Sequence, residues 1–146
     1  VAASHSLRDA TLRSSDFEVA CEPAKAGDFV YFDPPFQPLS KTSSFTSYTA
    51  NDFSEDDQVR LKECADRLSE RGVHVMISNS PHPLIRGLYR GSAHFVQYQL
   101  DEVPARRMIN SKGDGRGEIA ELVITSYDPA HVQTRRGPIV TAVSAS

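Results

Sequence analysis

Asp33-Pro34-Pro35-Phe36 sets a carboxylate, two prolines and an aromatic ring in immediate succession. An exocyclic amine on an aromatic base is a poor nucleophile, because its lone pair is delocalised into the ring. An acceptor on each of its two hydrogens favours a tetrahedral nitrogen with a localised lone pair. Asp33 offers one acceptor and the backbone carbonyl of Pro34 a second. The prolines fix φ and carry no N–H, so the turn is stiff and its carbonyls meet no internal competitor. Phe36 offers a flat face on which a base can lie, and such stacking is worth roughly 1–3 kcal/mol per base. A base inside a duplex reaches a device of this kind only when rotated out of the stack. On these four residues alone a plainer reading stays open: a strand ending in a Pro-Pro turn, with Asp33 as a cap and Phe36 filling the core.

The device needs a frame. Phe29-Val30-Tyr31-Phe32 is a short apolar run after the turn signal Ala26-Gly27-Asp28, and two prolines end it. It reads as a buried strand covered on both faces. Residues 37–53 form a polar loop carrying Phe45, Tyr48 and Phe53, and a loop that long inside a compact domain points to function. Ser54 can cap a helix with Asp57 as its acidic partner. Leu61, Cys64, Ala65 and Leu68 follow at helical spacing, and Gly72 ends the helix. Val73 to Ser78 reads as a second strand. Pro83 to Arg90 reads as a short helix with Leu84, Leu88 and Tyr89 on its apolar side. His94 to Leu100 and Glu118 to Tyr127 read as two strands flanking a loop of glycines and arginines. Val1 to Arg13 has a weak helical pattern. The tail, 129–146, has no clear period and is expected to be poorly ordered. A strand, a helical crossover and a second strand imply a parallel sheet wrapped by helices. Ligands bind beyond the carboxyl ends of such strands. Asp33 and the Ser78-Asn79-Ser80 turn fall at two such ends, on one rim.

Length and composition narrow the rest. A chain of 146 residues suits one domain with a single core. No apolar run approaches the roughly 20 residues that cross a bilayer, and the first residues show no secretory pattern. A formal charge of −3 argues against a surface coated in cations for nucleic acid, yet leaves room for a local basic groove. Arg106, Arg107, Lys112 and Arg116 lie close together in the chain. Cys21 and Cys64 make no disulfide framework or metal spacing, and Cys64 sits on the apolar helix stripe as a buried thiol. The histidines are scattered, so no metal is expected. Ser78 lacks the Gly-x-Ser-x-Gly turn of a hydrolase. A reducing cytoplasm is the default compartment.

A family resemblance then becomes definite. Asp33 to Tyr48, with Phe53, Gln58 and Leu61, resembles the motif and following loop of the Dam-type (D12 class) DNA adenine-N6 methyltransferases. The resemblance continues through Ile77-Ser78-Asn79-Ser80, Leu88-Tyr89, Arg107-Met108-Ile109-Asn110-Ser111 and Arg116-Gly117, and ends at Glu121 to Tyr127. It spans roughly Ser15 to Tyr127. It implies an α/β fold: part of an S-adenosylmethionine-dependent, Rossmann-like methyltransferase sheet with a C-terminal antiparallel hairpin, over residues 1–128. It implies S-adenosyl-L-methionine as methyl donor, double-stranded DNA as partner and a bacterial, archaeal or phage source. Asp33, Pro34, Pro35 and Phe36 would be catalytic. Asp16, Phe17 and Asp33 would lie near the cofactor. Ser40, Thr42, Phe45, Thr46 and Tyr48 would meet DNA near the rotated base. Arg107, Asn110, Ser111 and Arg116 would belong to a DNA-facing hairpin.

Three departures qualify the match. Phe36 stands where the family usually has tyrosine, keeping the stacking face and losing the hydroxyl. Pro81 follows Ser78-Asn79-Ser80, where aspartate is common. The glycine-containing cofactor loop and most of the target-recognition region have no counterpart here. The chain therefore resembles the second half of an enzyme, is expected to be inactive alone, and would leave one side of the Phe29–Phe32 strand uncovered. Its partners would include a missing N-terminal half or a complementing chain. Two other readings remain open: a non-catalytic nucleic-acid-binding fragment or half of a split methylase, and a guanine-N2 ribosomal-RNA methylase.

Overall fold

The computed structural model describes residues 11, 13–39, 53–90, 96–105, 119–130 and 139–142. In chain order they form α1 (Phe17–Cys21), β1 (Phe29–Phe32), α2 (Glu55–Glu70), β2 (His74–Asn79), α3 (Pro83–Arg90), β3 (Gln99–Ala105), β4 (Ile119–Thr125) and β5 (Ile139–Ala142). The strands make one sheet in the order β3-β4-β2-β1-β5. β1 runs parallel to β2, with Phe29 opposite His74 and Phe32 opposite Ile77. β4 is antiparallel to both β2 and β3. The architecture is therefore mixed α/β, with the expected antiparallel hairpin at one side.

Local signals explain the central unit. The α2 capping box is complete: Ser54 Oγ accepts from Asp57 N–H, and Asp57 accepts from Ser54 N–H. Two otherwise orphaned donors are thereby satisfied. Gly72, with φ of +81°, ends the helix turn in the left-handed region. Its carbonyl accepts from Gly27 N–H at 2.9 Å, so the end of α2 is tied to the turn that starts β1. Within that turn the Asp28 carboxylate accepts from Lys25 N–H at 2.8 Å.

Alternation then sorts the strand residues onto two faces. Val30, Phe32, Val75, Ile77, Leu122 and Ile124 are buried together with Leu61, Ala65, Leu68, Ile85 and Tyr89 from the helices. Each fully buried Leu, Ile or Phe contributes roughly 1.5–3 kcal/mol of transfer free energy. The opposite face is less covered. Phe29, Tyr31, His74 and Met76 remain half-exposed, although Tyr127 packs edge-on against Phe29 and His74, with ring centroids at 6.2 and 5.3 Å. The expectation that β1 is covered on both faces is therefore corrected among the described residues. A run of four apolar residues does not reveal which of them face a helix.

Three details also differ from expectation. β3 starts at Gln99 rather than His94 and extends through Pro104 to Ala105. A proline fits there because β3 is an edge strand, with backbone groups free of ladder duty on one side. In α3 the fully buried residues are Ile85 and Tyr89, while Leu84 and Leu88 are half-buried. The tail expected to be poorly ordered contains β5, which pairs in parallel with β1 from Phe29↔Ile139 to Phe32↔Ala142. The side of β1 expected to be uncovered is thus occupied. Among the described residues no helix is long and apolar enough to cross a membrane.

Candidate active site

The motif leaves β1 at its carboxyl end, on the rim where β2 also ends. Asp33, Pro35 and Phe36 are exposed, and Pro34 is buried. Phe36 is 39 % exposed, so its ring is not core filling, and that plainer reading fails.

Successive residues of β2 grip the motif from opposite faces of the sheet. Ser78 lies on the Tyr31 face. Its hydroxyl donates to Oδ1 of Asp33 at 2.8 Å. Its oxygen lies 2.9 Å from the Tyr31 hydroxyl. Ser78 has a single proton, and with that proton on Asp33 the Tyr31 hydroxyl becomes the donor to Ser78. Among the described residues Oδ2 of Asp33 receives no hydrogen bond, and its carboxylate meets no cation.

Asn79 points the other way, toward α2. It is fully buried. Its Oδ1 accepts from Gln37 N–H at 3.0 Å and from Ser80 N–H at 2.8 Å. Its Nδ2 donates to Gln58 Oε1 at 3.0 Å. Gln58, 1 % exposed on α2, donates from Nε2 to the Pro35 carbonyl at 3.3 Å. Ser80 Oγ donates to the Gln37 carbonyl at 2.5 Å. The stretch after Pro34 is thus held by buried side chains of α2 and of the β2 terminus.

Asp16 and Phe17 occupy a second cluster. Asp16 caps α1 by accepting from Glu18 N–H at 2.9 Å. Arg60 binds Asp16, Glu18 and Asp57 at 3.1, 2.6 and 3.0 Å, and its guanidinium lies over the Phe17 ring, 5.0 Å from the centroid. Hydrogen bonds to Glu18, then Asp16 and Asp57, hold Arg60 above the usual guanidinium range. Phe17 is buried against Phe32 and Phe53, at 6.3 and 6.0 Å between centroids. Its ring belongs to the core and is not left to face a ligand, while Asp16 is exposed. The contact with Phe32 sets α1 beside the residue that precedes Asp33.

Nearby, Cys21 and Cys64 are free, buried thiols. The hydrogen bond between them, together with burial, pushes Cys21 above the ordinary thiol range. A cavity of about 560 Å³ is lined by Glu18, Cys21, Glu22, Cys64, Arg67, Glu70 and Arg71. None of these is a motif residue, and the chemistry argued above lies instead at the open strand ends.

The expected DNA-facing residues Ser40, Thr42, Phe45, Thr46, Tyr48, Arg107, Asn110, Ser111 and Arg116 lie outside the described residues. The structure brings Asp33 to Phe36 together with Ser78, Gln58 and Asn79, to which the sequence reading assigned no role at the motif, and sets Tyr31 behind Ser78. For Gln58 a signal existed, since it is the one polar residue on the buried stripe Gln58, Leu61, Cys64, Ala65 and Leu68. For Asn79 the strand alternation tells the face but not the partner, and for Tyr31, inside an apolar run, it tells neither.

Residues 1–109 match the model of the D12 class N6 adenine-specific DNA methyltransferase family. The chain belongs to this family. It is 47 % identical over 116 residues to a Type II methyltransferase of Lactococcus lactis subsp. cremoris, covering 80 % of this chain and 39 % of the relative. It is 46 % identical over 123 residues to a Type II methyltransferase of Methanocaldococcus jannaschii, covering 83 % and 40 %. A DNA adenine methylase of Escherichia coli (strain K12) is 40 % identical over 111 residues, covering 75 % and 37 %. This D12-family chain therefore spans about two fifths of the length of these curated relatives.

Proposed function

We propose that the chain supplies the base-binding and catalytic part of an enzyme that methylates N6 of an adenine rotated out of duplex DNA. The observation that carries this reading is the Asp33 carboxylate, fixed through Oδ1 by Ser78, with Oδ2 open beside an exposed Phe36. In this reading Oδ2 accepts one N6 hydrogen and the Pro34 carbonyl the other. The nitrogen lone pair then localises toward the donor, and Oδ2 is the nearest base for the proton that N6 releases. Phe36 replaces stacking lost on leaving the duplex. The catalytic contribution of these residues is alignment and electrostatics.

A sulfonium donor such as S-adenosyl-L-methionine suits the residues present. The Asp33 carboxylate has only the neutral Ser78 hydroxyl as a described partner, so a positive sulfur fits beside it. The backbone at Asp16 and Phe17 would adjoin the donor's adenine. When bound, the donor supplies an electrophilic methyl group. The parallel pair β1 and β2, with the motif at their carboxyl ends, supports a Rossmann-like placement of donor and base on one rim. Ser40, Thr42, Phe45, Thr46 and Tyr48 would meet DNA near the rotated base, and Arg107, Asn110, Ser111 and Arg116 would hold phosphates, positioning without reading sequence. The Type II names of two relatives support a place in a restriction-modification pair.

The test joins this chain to the part of the Lactococcus relative that the match does not cover. Tritium-labelled S-adenosylmethionine and adenine-containing duplexes are then supplied. Label recovered as N6-methyladenine supports the reading. Label on ribosomal-RNA guanine, or DNA binding with no transfer, would replace it with one of the two alternatives.

A further inference from the structure

The two buried amides that hold the motif have a fixed direction. Asn79 Oδ1 receives two backbone N–H groups, from Gln37 and Ser80. The atom facing them must therefore be oxygen, which settles the orientation of the amide. Nδ2 then faces Gln58 and can only donate, so Gln58 presents Oε1 to it. The other end of Gln58 is consequently Nε2, a donor, and it meets the Pro35 carbonyl. Polarity passes from the backbone of Gln37 and Ser80 through two side chains to Pro35.

The selectivity of this wiring matters more than its presence. The Pro35 carbonyl, the Gln37 N–H and the Gln37 carbonyl are all engaged, the last by Ser80 Oγ. Among the described residues the Pro34 carbonyl has no partner. The Gln37 N–H, which a β-turn would bring back to it, is taken by Asn79 instead. We infer that Gln58 and Asn79 are positioning residues: they engage the Pro35 carbonyl and the Gln37 N–H, so that this N–H does not turn back on the Pro34 carbonyl, which stays an open acceptor at the strand end. What that carbonyl is for rests on the methyl-transfer reading; the wiring itself does not.

A merely structural pair would satisfy itself within the core. These amides instead bond outward to the loop, and burying them is costly unless each bond is made. The prediction that separates the two roles is directional. In Gln58→Glu, an ionised carboxylate still accepts from Asn79 but sets oxygen against the Pro35 carbonyl. Protonation restores a donor there with no change of shape. Gln58→Met keeps the volume and removes both bonds at every pH.

The experiment uses the ¹⁵N-labelled 146-residue chain without DNA or methyl donor, so its failure is distinct from failure of the activity reading. Amide exchange and shifts are followed at Phe36 and Gln37, with Val30 and Val75 reporting the core. Gln58→Met is expected to lower protection at Gln37 roughly tenfold, about what one net hydrogen bond supplies, with Val30 and Val75 unchanged. Gln58→Glu should match Gln58→Met once pH rises far enough to ionise it, burial pushing that pH up, and return toward wild type on acidification. The wild-type titration, run in parallel, removes contributions from Asp33 and from Glu55, which faces the Gln37 side chain. If Gln58→Met unfolds, the acid recovery of Gln58→Glu decides alone. Wild-type signals at Gln37 in Gln58→Glu that persist up to about pH 9, where even a buried carboxyl ionises, or loss that acid does not reverse, would reduce both amides to core filling.

Discussion

The Ser78 hydroxyl donates to Oδ1 of Asp33 at 2.8 Å, joining the ends of two parallel neighbouring strands. The residue after Ser78, Asn79, faces the other side of the sheet and holds the loop that follows the prolines. One strand end therefore fixes the side chain of the motif from one face and its backbone from the other. The pleat makes this possible, because adjacent residues necessarily point in opposite directions.

Asp33 is exposed, so its removal should cost little stability. In the completed enzyme Asp33→Ala is expected to lower turnover by at least roughly 100-fold, the scale for losing a preorganised electrostatic partner. DNA affinity should change far less. Ser78→Ala should lower turnover by a smaller factor, because the carboxylate remains but swings more freely. Single-turnover rates with matched melting curves check both. Near-normal turnover by Asp33→Ala would end the proposed chemistry.

Phe36 should act through its π face. Replacement by Tyr or Trp is expected to preserve most activity, while Phe36→Ala loses stacking worth about 1–3 kcal/mol, or roughly 5- to 150-fold. Fluorescence of 2-aminopurine at the target position reports whether the base is still held outside the stack. Equal behaviour of all three variants would make Phe36 a packing residue.

The two halves of the site were not equally legible in the sequence. Asp33 to Phe36 could be read directly, because a carboxylate, two prolines and a ring in succession carry their geometry with them. The capping box at Ser54 and Asp57 was legible for the same reason: its partners are three residues apart. Gln58, Ser78 and Asn79 were not, since each meets the motif or the Gln37 that follows it across a sequence gap that only the fold closes, and Tyr31 reaches the motif only through Ser78. β5 was hidden by length. Ile139-Val140-Thr141 are strand formers, but four residues are too few to show a period. The face that β1 buries also escaped, because Phe29 to Phe32 is apolar throughout.

Asp57 gives the fold a defined acid sensitivity. Hydrogen bonds from the Ser54 side chain and backbone, and then from Arg60, hold its carboxyl below the ordinary value of 3.8. A carboxyl depressed in the folded state adds stability above its unfolded pKa and loses it as pH falls through the folded one. Asp57→Asn should therefore cost most at neutral pH, and its deficit should shrink below about pH 4 and vanish in stronger acid. Ser54→Ala should cost about 1 kcal/mol for the lost cap. Urea unfolding from neutral pH into acid measures both. A deficit for Asp57→Asn that grew on acidification would contradict the assigned cause.

β5 provides the last test, through the geometry of a ladder. It pairs with β1 from Ile139 to Ala142 and is itself the outer strand on that side. In any strand the backbone groups of successive residues point alternately to the two sides. Of Val140 and Thr141, one therefore directs its N–H toward β1 and the other directs it outward. A proline removes the N–H at its own position, so its effect depends on which side that donor served. One of Val140→Pro and Thr141→Pro should destabilise the chain by about 1–2 kcal/mol, the loss of a ladder bond with some strain. The other should be tolerated better. The damaged variant should also associate with itself more strongly, since the edge of β1 then offers unpaired donors and acceptors beside an apolar core. Thermal unfolding measures the first effect and sedimentation velocity across a concentration series the second. If both prolines left stability and association at wild-type values, β5 would contribute nothing to the sheet, and the edge of β1 would have to be protected by another segment.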